Sequence, residues 1–153
     1  MKVDIILDAL CIKPKIQIHT NKITEEINDI ANTLASSTSS IIGYKNDLLT
    51  PLKPKDIIKI YSEDKKVYAS TLQDTYTLKL RLYEIEENIS NDKLIRISKS
   101  EIVNFDYVKN LDLSLNGTIK INFKNGDYSY VSRRYINKIK NHLGIWGVYI
   151  WKK

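Results

Sequence analysis

Apolar side chains recur along the chain with two periods, and the switches between them mark out its elements. Residues 3–8 and 15–20 alternate apolar and polar positions as half-buried strands do. Pro14 lies between them, and the two strands are expected to pair. From residue 24 to 35 the period lengthens: Ile23, Ile27, Ile30 and Leu34 stand at i, i+4, i+7 and i+11. Thr24 is placed to cap this helix, and Glu25 and Glu26 suit its positive end. The small polar run 36–40 ends it, residues 41–45 read as another strand, and Pro51 and Pro54 mark the start of a new region.

Strand patterns then follow closely. Residues 56–62, 66–70 and 75–80 are rich in Ile, Val, Tyr and Thr and are separated by polar loops, which predicts an antiparallel meander. Residues 81–89 interrupt it as a short helix, with Leu82, Ile85 and Ile89 on one side and carboxylates on the other. Ile119, Ile121 and Phe123 alternate with Lys120 and Asn122, Asn125-Gly126 predicts a type I′ hairpin turn, and residues 128–131 return as the partner strand. A helix over 133–143 follows, with Ser132 as its cap and Ile136, Ile139 and Leu143 as its apolar stripe. In the tail, Trp146, Val148 and Ile150 alternate with Gly147, Tyr149 and Trp151. That pattern fits a final strand over a sheet edge or a contact for a second subunit or a membrane-protein partner.

Composition removes several function classes. The chain has 153 residues, 42% apolar and 27% charged, enough for one or two small domains. No stretch approaches the roughly 18 consecutive apolar residues of a membrane-spanning helix, and acids break up the N-terminal segment, so a cytoplasmic protein is expected. Cys11 is the only thiol, which excludes an intrachain disulfide and a cysteine-based zinc site. His19 and His142 are too few for a histidine-rich metal centre, and no metal or cofactor is expected. There is no phosphate-cradling glycine loop and no nucleophile elbow, and the five glycines are scattered, so the sequence argues against an enzyme.

Charge is distributed unevenly. Residues 1–54 hold six lysines and six acids, so residues 55–153 carry the whole net charge of +6. A neutral first third joined to a basic remainder suggests that the remainder meets a polyanion, although lysine-rich composition alone also produces such a balance. Arg133 and Arg134 sharpen the first reading. Cations in the first turn of a helix oppose its dipole, at a cost of a few tenths of a kcal/mol each, unless that turn faces phosphate. Two surface arginines swung into solvent are the plainer alternative.

Several spaced motifs together resemble a known family. Residues 94–104 (Leu-Ile-Arg-Ile-Ser-Lys-Ser-Glu-Ile-Val-Asn), 117–121 (Gly-Thr-Ile-Lys-Ile), 124–126 (Lys-Asn-Gly) and 130–135 (Tyr-Val-Ser-Arg-Arg-Tyr) resemble the LytTR DNA-binding domain. Residues 60–63 (Ile-Tyr-Ser-Glu) and 82–86 (Leu-Tyr-Glu-Ile-Glu) resemble its first strand and short helix, in the same order. The resemblance covers residues 50–144, and residues 1–50 show no receiver pattern, as in stand-alone members. It implies an α+β, mostly antiparallel fold, an elongated β sandwich with short helices, here preceded by a small ββα region. It also implies that loops, rather than a recognition helix, enter successive major grooves. Three places match the family's DNA-facing positions: Lys65 and Lys66 after the first strand, Lys99 with Ser98 and Ser100 beside it, and Arg133-Arg134. Ser98 departs from the histidine that many members carry.

Side-chain chemistry adds roles to these positions. An arginine fork matches guanine O6 and N7, and a lysine reaches the same acceptors, so Arg134 and Lys99 are the expected base readers. Arg96, Arg133, Lys65 and Lys66 are expected on phosphates, although for Arg96 strand alternation with Ile95 and Ile97 places any residue on the solvent face. Asn104 is expected to cap or bridge a turn, and the ten tyrosines to pack in sheets. The expected organisation is residues 1–49 for dimerisation or regulation, 50–144 for DNA binding, and 145–153 as an apolar tail. The expected protein is a homodimeric transcriptional regulator of promoter DNA. The rival is a nucleic-acid module without sequence specificity, or a protein-interaction β module.

Overall fold

Alternating residues become strands only where a second surface covers their apolar side, and this divides the chain. The structure, a computed structural model, describes residues 4–12, 15–37, 40–89 and 91–144. The two strands expected at 3–8 and 15–20 do not form among these residues. Ile5, Ile6, Leu7, Leu10 and Ile12 are 88–96% exposed. With no sheet edge or core face beside it, local alternation has nothing to bury against, and the pattern alone does not make a ladder. Val3 and Pro14, and the tail 145–153, lie outside the described residues.

The first helix forms as its period requires. α1 (Glu25–Ser37) starts behind Thr24, whose hydroxyl accepts from the Ile27 amide at 3.4 Å, and Glu25 and Glu26 occupy its first turn. It is followed by β1 (Ile41–Lys45) and β2 (Leu48–Leu52), which form a hairpin with Asn46 and Asp47 both at positive φ. β2 was not foreseen because it contains Pro51. It lies at the edge of the sheet, where a missing amide costs no ladder bond. The division expected at residue 50 falls inside this hairpin, and β1 joins the sheet through Tyr44 opposite Thr77.

The meander follows as β3 (Ile57–Glu63), β4 (Lys66–Thr71) and β5 (Thr75–Leu78), then α2 (Leu82–Asn88), β6 (Leu94–Ser98) and β7 (Glu101–Asn104). These strands, with β1 and β2, make one antiparallel seven-stranded sheet in the order β2-β1-β5-β4-β3-β7-β6. β8 (Val108–Asp112), β9 (Ile119–Phe123) and β10 (Tyr128–Val131) make a second, three-stranded sheet, and α3 (Ile136–Leu143) closes the described chain. The class is α+β and mostly antiparallel, as expected. Among the described residues no helix is long and apolar enough to cross a membrane.

The large sheet is covered on both faces. Ile57, Ile60, Ala69, Leu78 and Ile102 pack with Leu82 and Ile85 of α2. Ile58, Ile95, Ile97 and Val103 pack on the other side against Ile119, Ile121 and Phe123 of the small sheet and Ile139 of α3. Adjacent Ile57 and Ile58 serve opposite cores by ordinary alternation, and a register slip between Ile57 and Lys59 inverts it, so that Ile60 faces the same core as Ile57 three residues before it. Asn104, fully buried, ties the start of β3 to the turn that leaves β7: its amide donates to Ile57 O at 2.9 Å, and its carbonyl accepts from the Asp106 amide at 3.0 Å.

Two expected local geometries differ. Asn125-Gly126 is not a type I′ turn, since only Gly126 has positive φ (+90°). The Gly126 amide donates to Phe123 O at 3.1 Å and the Phe123 amide to Asp127 O at 2.9 Å, which is a three-residue loop built from a type I turn and a bulge. Ser132 has the extended backbone of a cap, but its side chain makes no capping bond. Arg133–Tyr135 form a 3₁₀ turn before α3 begins.

Candidate nucleic-acid interface

Three chain reversals carry the expected contact residues. The first is the two-residue turn between β3 and β4, where Asp64 (φ +49°) and Lys65 (φ +63°) are both left-handed and Glu63 pairs with Lys66. Both lysines are exposed. The second is the β6–β7 turn at Lys99 and Ser100, both exposed. The Ser100 amide donates to Ser98 Oγ at 3.2 Å, which folds the serine hydroxyls onto the turn itself. The third is the 3₁₀ turn with Arg133 and Arg134, both exposed.

Two backbone hydrogen bonds join these reversals. The Ser62 amide, one residue before the Glu63–Lys66 strand pair that closes the first turn, donates to Ser100 O at 2.9 Å. The Ser132 amide, one residue before Arg133, donates to Ile97 O at 2.9 Å. Ile97 can accept it because the β6–β7 register slips between Arg96 and Ser98, leaving Ile97 without a β7 partner. The β6–β7 turn is thus the centre on which the other two are hung. A depression of about 390 Å³ opens between it and the third segment, lined by Ser98, Lys99, Ser100, Ser132, Arg133 and Arg134.

Five of the eight expected residues therefore present a cation to solvent: Lys65, Lys66, Lys99, Arg133 and Arg134. None of them is ion-paired to a described carboxylate. Ser98 and Ser100 flank the depression. Arg96 is placed differently. Its side chain is 12% exposed, its Nε donates to Ser98 O at 2.6 Å, its Nη2 donates to Lys99 O, and its Nη1 meets Glu86 Oε2 at 3.1 Å. The guanidinium spans its own turn instead of pointing away from it.

Other groups at the site were not visible in sequence. Glu86 on α2 also receives Lys138 Nζ of α3 at 2.8 Å. Burial would raise this carboxyl, but the hydrogen bonds and charges of Lys138 and Arg96 outweigh it and hold Glu86 below the usual carboxylate range. Gly117, at φ +77°, lies under Arg133: a Cβ there would stand 3.0 Å from its Nη2. The one available sequence signal was a glycine in a polar loop. Behind the β6–β7 turn, Lys59 bonds Asp127 Oδ2 at 2.8 Å and lies 4.0 Å from Glu101, which accepts from the Ser129 hydroxyl. Burial pushes the Glu101 carboxyl up, and the Ser129 hydrogen bond and the Lys59 charge offset it only in part. Asp127 is held low, since the Lys59 hydrogen bond, the Tyr128 amide and the Lys59 charge outweigh its own desolvation.

This surface suits a polyanion. Exposed forks and ammonium groups converge on one edge, with hydroxyl donors between them and no metal-binding cluster among the described residues. Comparison with known proteins agrees. The LytTr DNA-binding domain model matches residues 47–144. Proteins named HTH-type transcriptional regulators in Staphylococcus aureus strains MSSA476 and MW2 are each 35% identical over 147 residues, covering 95% of this chain and 99% of the relative. The solved LytTr DNA-binding domain of a Bacillus cereus response regulator superposes with a TM-score of 0.66 at 27% identity, covering 69% of this chain and 97% of that one.

Proposed function

The chain belongs to the LytTR DNA-binding domain family, and from that premise we propose that it is a sequence-specific regulator of transcription whose turns enter successive major grooves of promoter DNA. The observation that carries this reading is the joining of three basic reversals by the Ser62–Ser100 and Ser132–Ile97 backbone bonds. Rigidly spaced readers can register with a groove, whereas independent loops would bind phosphate without reading sequence. Although the relatives' names say helix-turn-helix, in this chain strands separate α1, α2 and α3, so turns present the basic residues.

Arg134 and Lys99 read bases, Lys65, Lys66 and Arg133 hold phosphates, and Ser98 and Ser100 supply short-range donors. Arg96 stands apart from these contacts, since each of its three guanidinium nitrogens donates to a group within the protein. Two half-sites require two readers, so the regulator acts as a homodimer, with residues 1–49 and their exposed apolar side chains as the joining region. Sedimentation that finds only a 17.7 kDa species with and without DNA would refute the dimer.

One feature favours a second reading. Tyr128 and Tyr130 are about half exposed on the outer face of the small sheet, and Lys120 Nζ lies 4.5 Å from the Tyr128 ring centre, a surface on which unpaired bases could stack. One experiment separates the two. The full chain is used to enrich duplexes from a randomised pool, and binding to the enriched duplex, a shuffled duplex and the single strand is then titrated for wild type and Arg134→Ala at about 150 mM salt. Duplex reading predicts discrimination against the shuffled sequence, and a loss of roughly 1–3 kcal/mol with relaxed preference at one base pair in the variant. No enrichment, or preference for the single strand, refutes it.

A further inference from the structure

A carboxylate beside a DNA-reading turn calls for an explanation. Glu86 lies one hydrogen bond from Arg96, whose guanidinium in turn holds the carbonyls of Ser98 and Lys99. A negative charge there repels phosphate, and by electrostatics alone it weakens DNA binding. The site nevertheless holds this charge firmly: Glu86 bonds Arg96 through one oxygen and Lys138 through the other, and both partners keep it ionised.

We propose that Glu86 is a positioning residue for the DNA-reading face: with Arg96 it latches the β6–β7 turn, and through Lys138 it fixes that turn relative to α3 and the Arg133-Arg134 segment that leads into it. This rests on the reading of that face as a DNA interface, and it gives Arg96 a role other than phosphate contact. Arg96 needs the fork because a single guanidinium must serve three acceptors: Ser98 O, Lys99 O and Glu86. The bulge at Ile97 leaves the turn short of ladder bonds, and the latch replaces them. Glu86 also ties the consecutive elements α2 and β6 to α3, some fifty residues on, and their relative placement sets the distance between Lys99 and Arg134.

The test uses the full chain as wild type, Glu86→Gln, Arg96→Lys and the double variant, each well below its own melting temperature. Two readouts are taken: affinity across a salt series for the enriched and shuffled duplexes, and amide hydrogen exchange of the peptide spanning residues 97–101 in the free protein. Glu86→Gln is expected to lose about tenfold in affinity for the enriched duplex, with affinity for the shuffled duplex and the salt slope kept, and with faster exchange in the turn. Arg96→Lys keeps its charge but loses the fork. It is expected to match Glu86→Gln, and the double variant to be no worse than either single one. Tighter binding of both duplexes by Glu86→Gln would overturn the proposal, since only a repelling charge would have been removed. So would wild-type behaviour of Arg96→Lys with unchanged exchange. Should wild type itself fail to discriminate the duplexes, the DNA reading falls, and the exchange of the turn alone decides whether Glu86 positions it.

Discussion

Lys65 occupies a position where backbone stability and the proposed DNA contact pull in opposite directions. In the two-residue β3–β4 turn its φ is +63°, a left-handed conformation that costs a residue with a Cβ about 1 kcal/mol relative to glycine. Lys65→Gly should therefore stabilise the protein by about that amount, raising Tm by about 3–4 °C for a chain of this size. The same change removes one cation from the proposed DNA face. One lost phosphate contact lowers the slope of log affinity against log salt by about 0.9, which at 0.15 M salt is roughly fivefold in affinity. Thermal melting and an anisotropy titration at several salt concentrations measure both effects in one preparation. Lys66→Ala is the control, because Lys66 begins β4 and is not at positive φ: it should lose a similar salt slope without gaining stability. A Lys65→Gly protein that melts lower refutes the turn argument. One with an unchanged salt slope refutes the phosphate contact.

Three further outcomes are expected. Gly117→Ala places a Cβ 3.0 Å from Arg133 Nη2 at a φ of +77°, so Tm should fall and the duplex bind more weakly while the base preference assigned to Arg134 persists; a selection profile altered at that base would contradict this. Asn104→Ala deprives Ile57 O of a buried donor and the Asp106 amide of its acceptor, and should cost about 1–3 kcal/mol in denaturant unfolding; a loss under about 0.5 kcal/mol would show that these two groups find other partners. The Glu101 and Asp127 carboxyls should respond to pH with opposite signs. The lowered pKa of Asp127 gives stability present above its ordinary 3.8 and lost as pH falls, so Asp127→Asn should melt lower at pH 7, by less than about 1 kcal/mol for so exposed a group, and match wild type in strong acid. The raised pKa of Glu101 gives stability present below its ordinary 4.5 and lost as pH rises, so Glu101→Gln should melt higher at pH 7 and converge with wild type in acid. Melting curves from pH 3 to 7 that move together for both variants would refute the assignment.

The fold was legible where local period and tertiary surface agree. Residues 57–78 alternate and find partners on both edges, and 82–88 place Leu82 and Ile85 on the sheet, so pattern and packing give the same answer. Residues 3–8 and 15–20 alternate equally well, but alternation reports one face without reporting what covers it. Turn chemistry was ambiguous in a similar way. Asn-Gly serves a type I′ turn and equally a type I turn with a bulge, and the choice fell to loop length between Phe123 and Asp127. The paired left-handed turns stand instead at Asn46-Asp47 and Asp64-Lys65, neither of which contains glycine.

The candidate contact residues could be named from the family resemblance, and five of them are exposed cations, but their mutual placement could not be read from sequence. Ser62 meets Ser100, and Ser132 meets Ile97, through backbone atoms whose identity no side chain reveals. Arg96 shows the limit most clearly. Alternation with Ile95 and Ile97 directs its Cβ to the opposite face of the sheet, and without knowledge of what covers that face an arginine beside a basic turn reads as a phosphate ligand. Its side chain is long enough to turn back, however, and the slip at Ile97 leaves acceptors of the turn within its reach. Whether such an arginine points outward or inward depends on a carboxylate ten residues away on another element, Glu86. The shape of this face is therefore a property of α2 and α3, through Glu86 and Lys138, as much as of the turns that carry its cations.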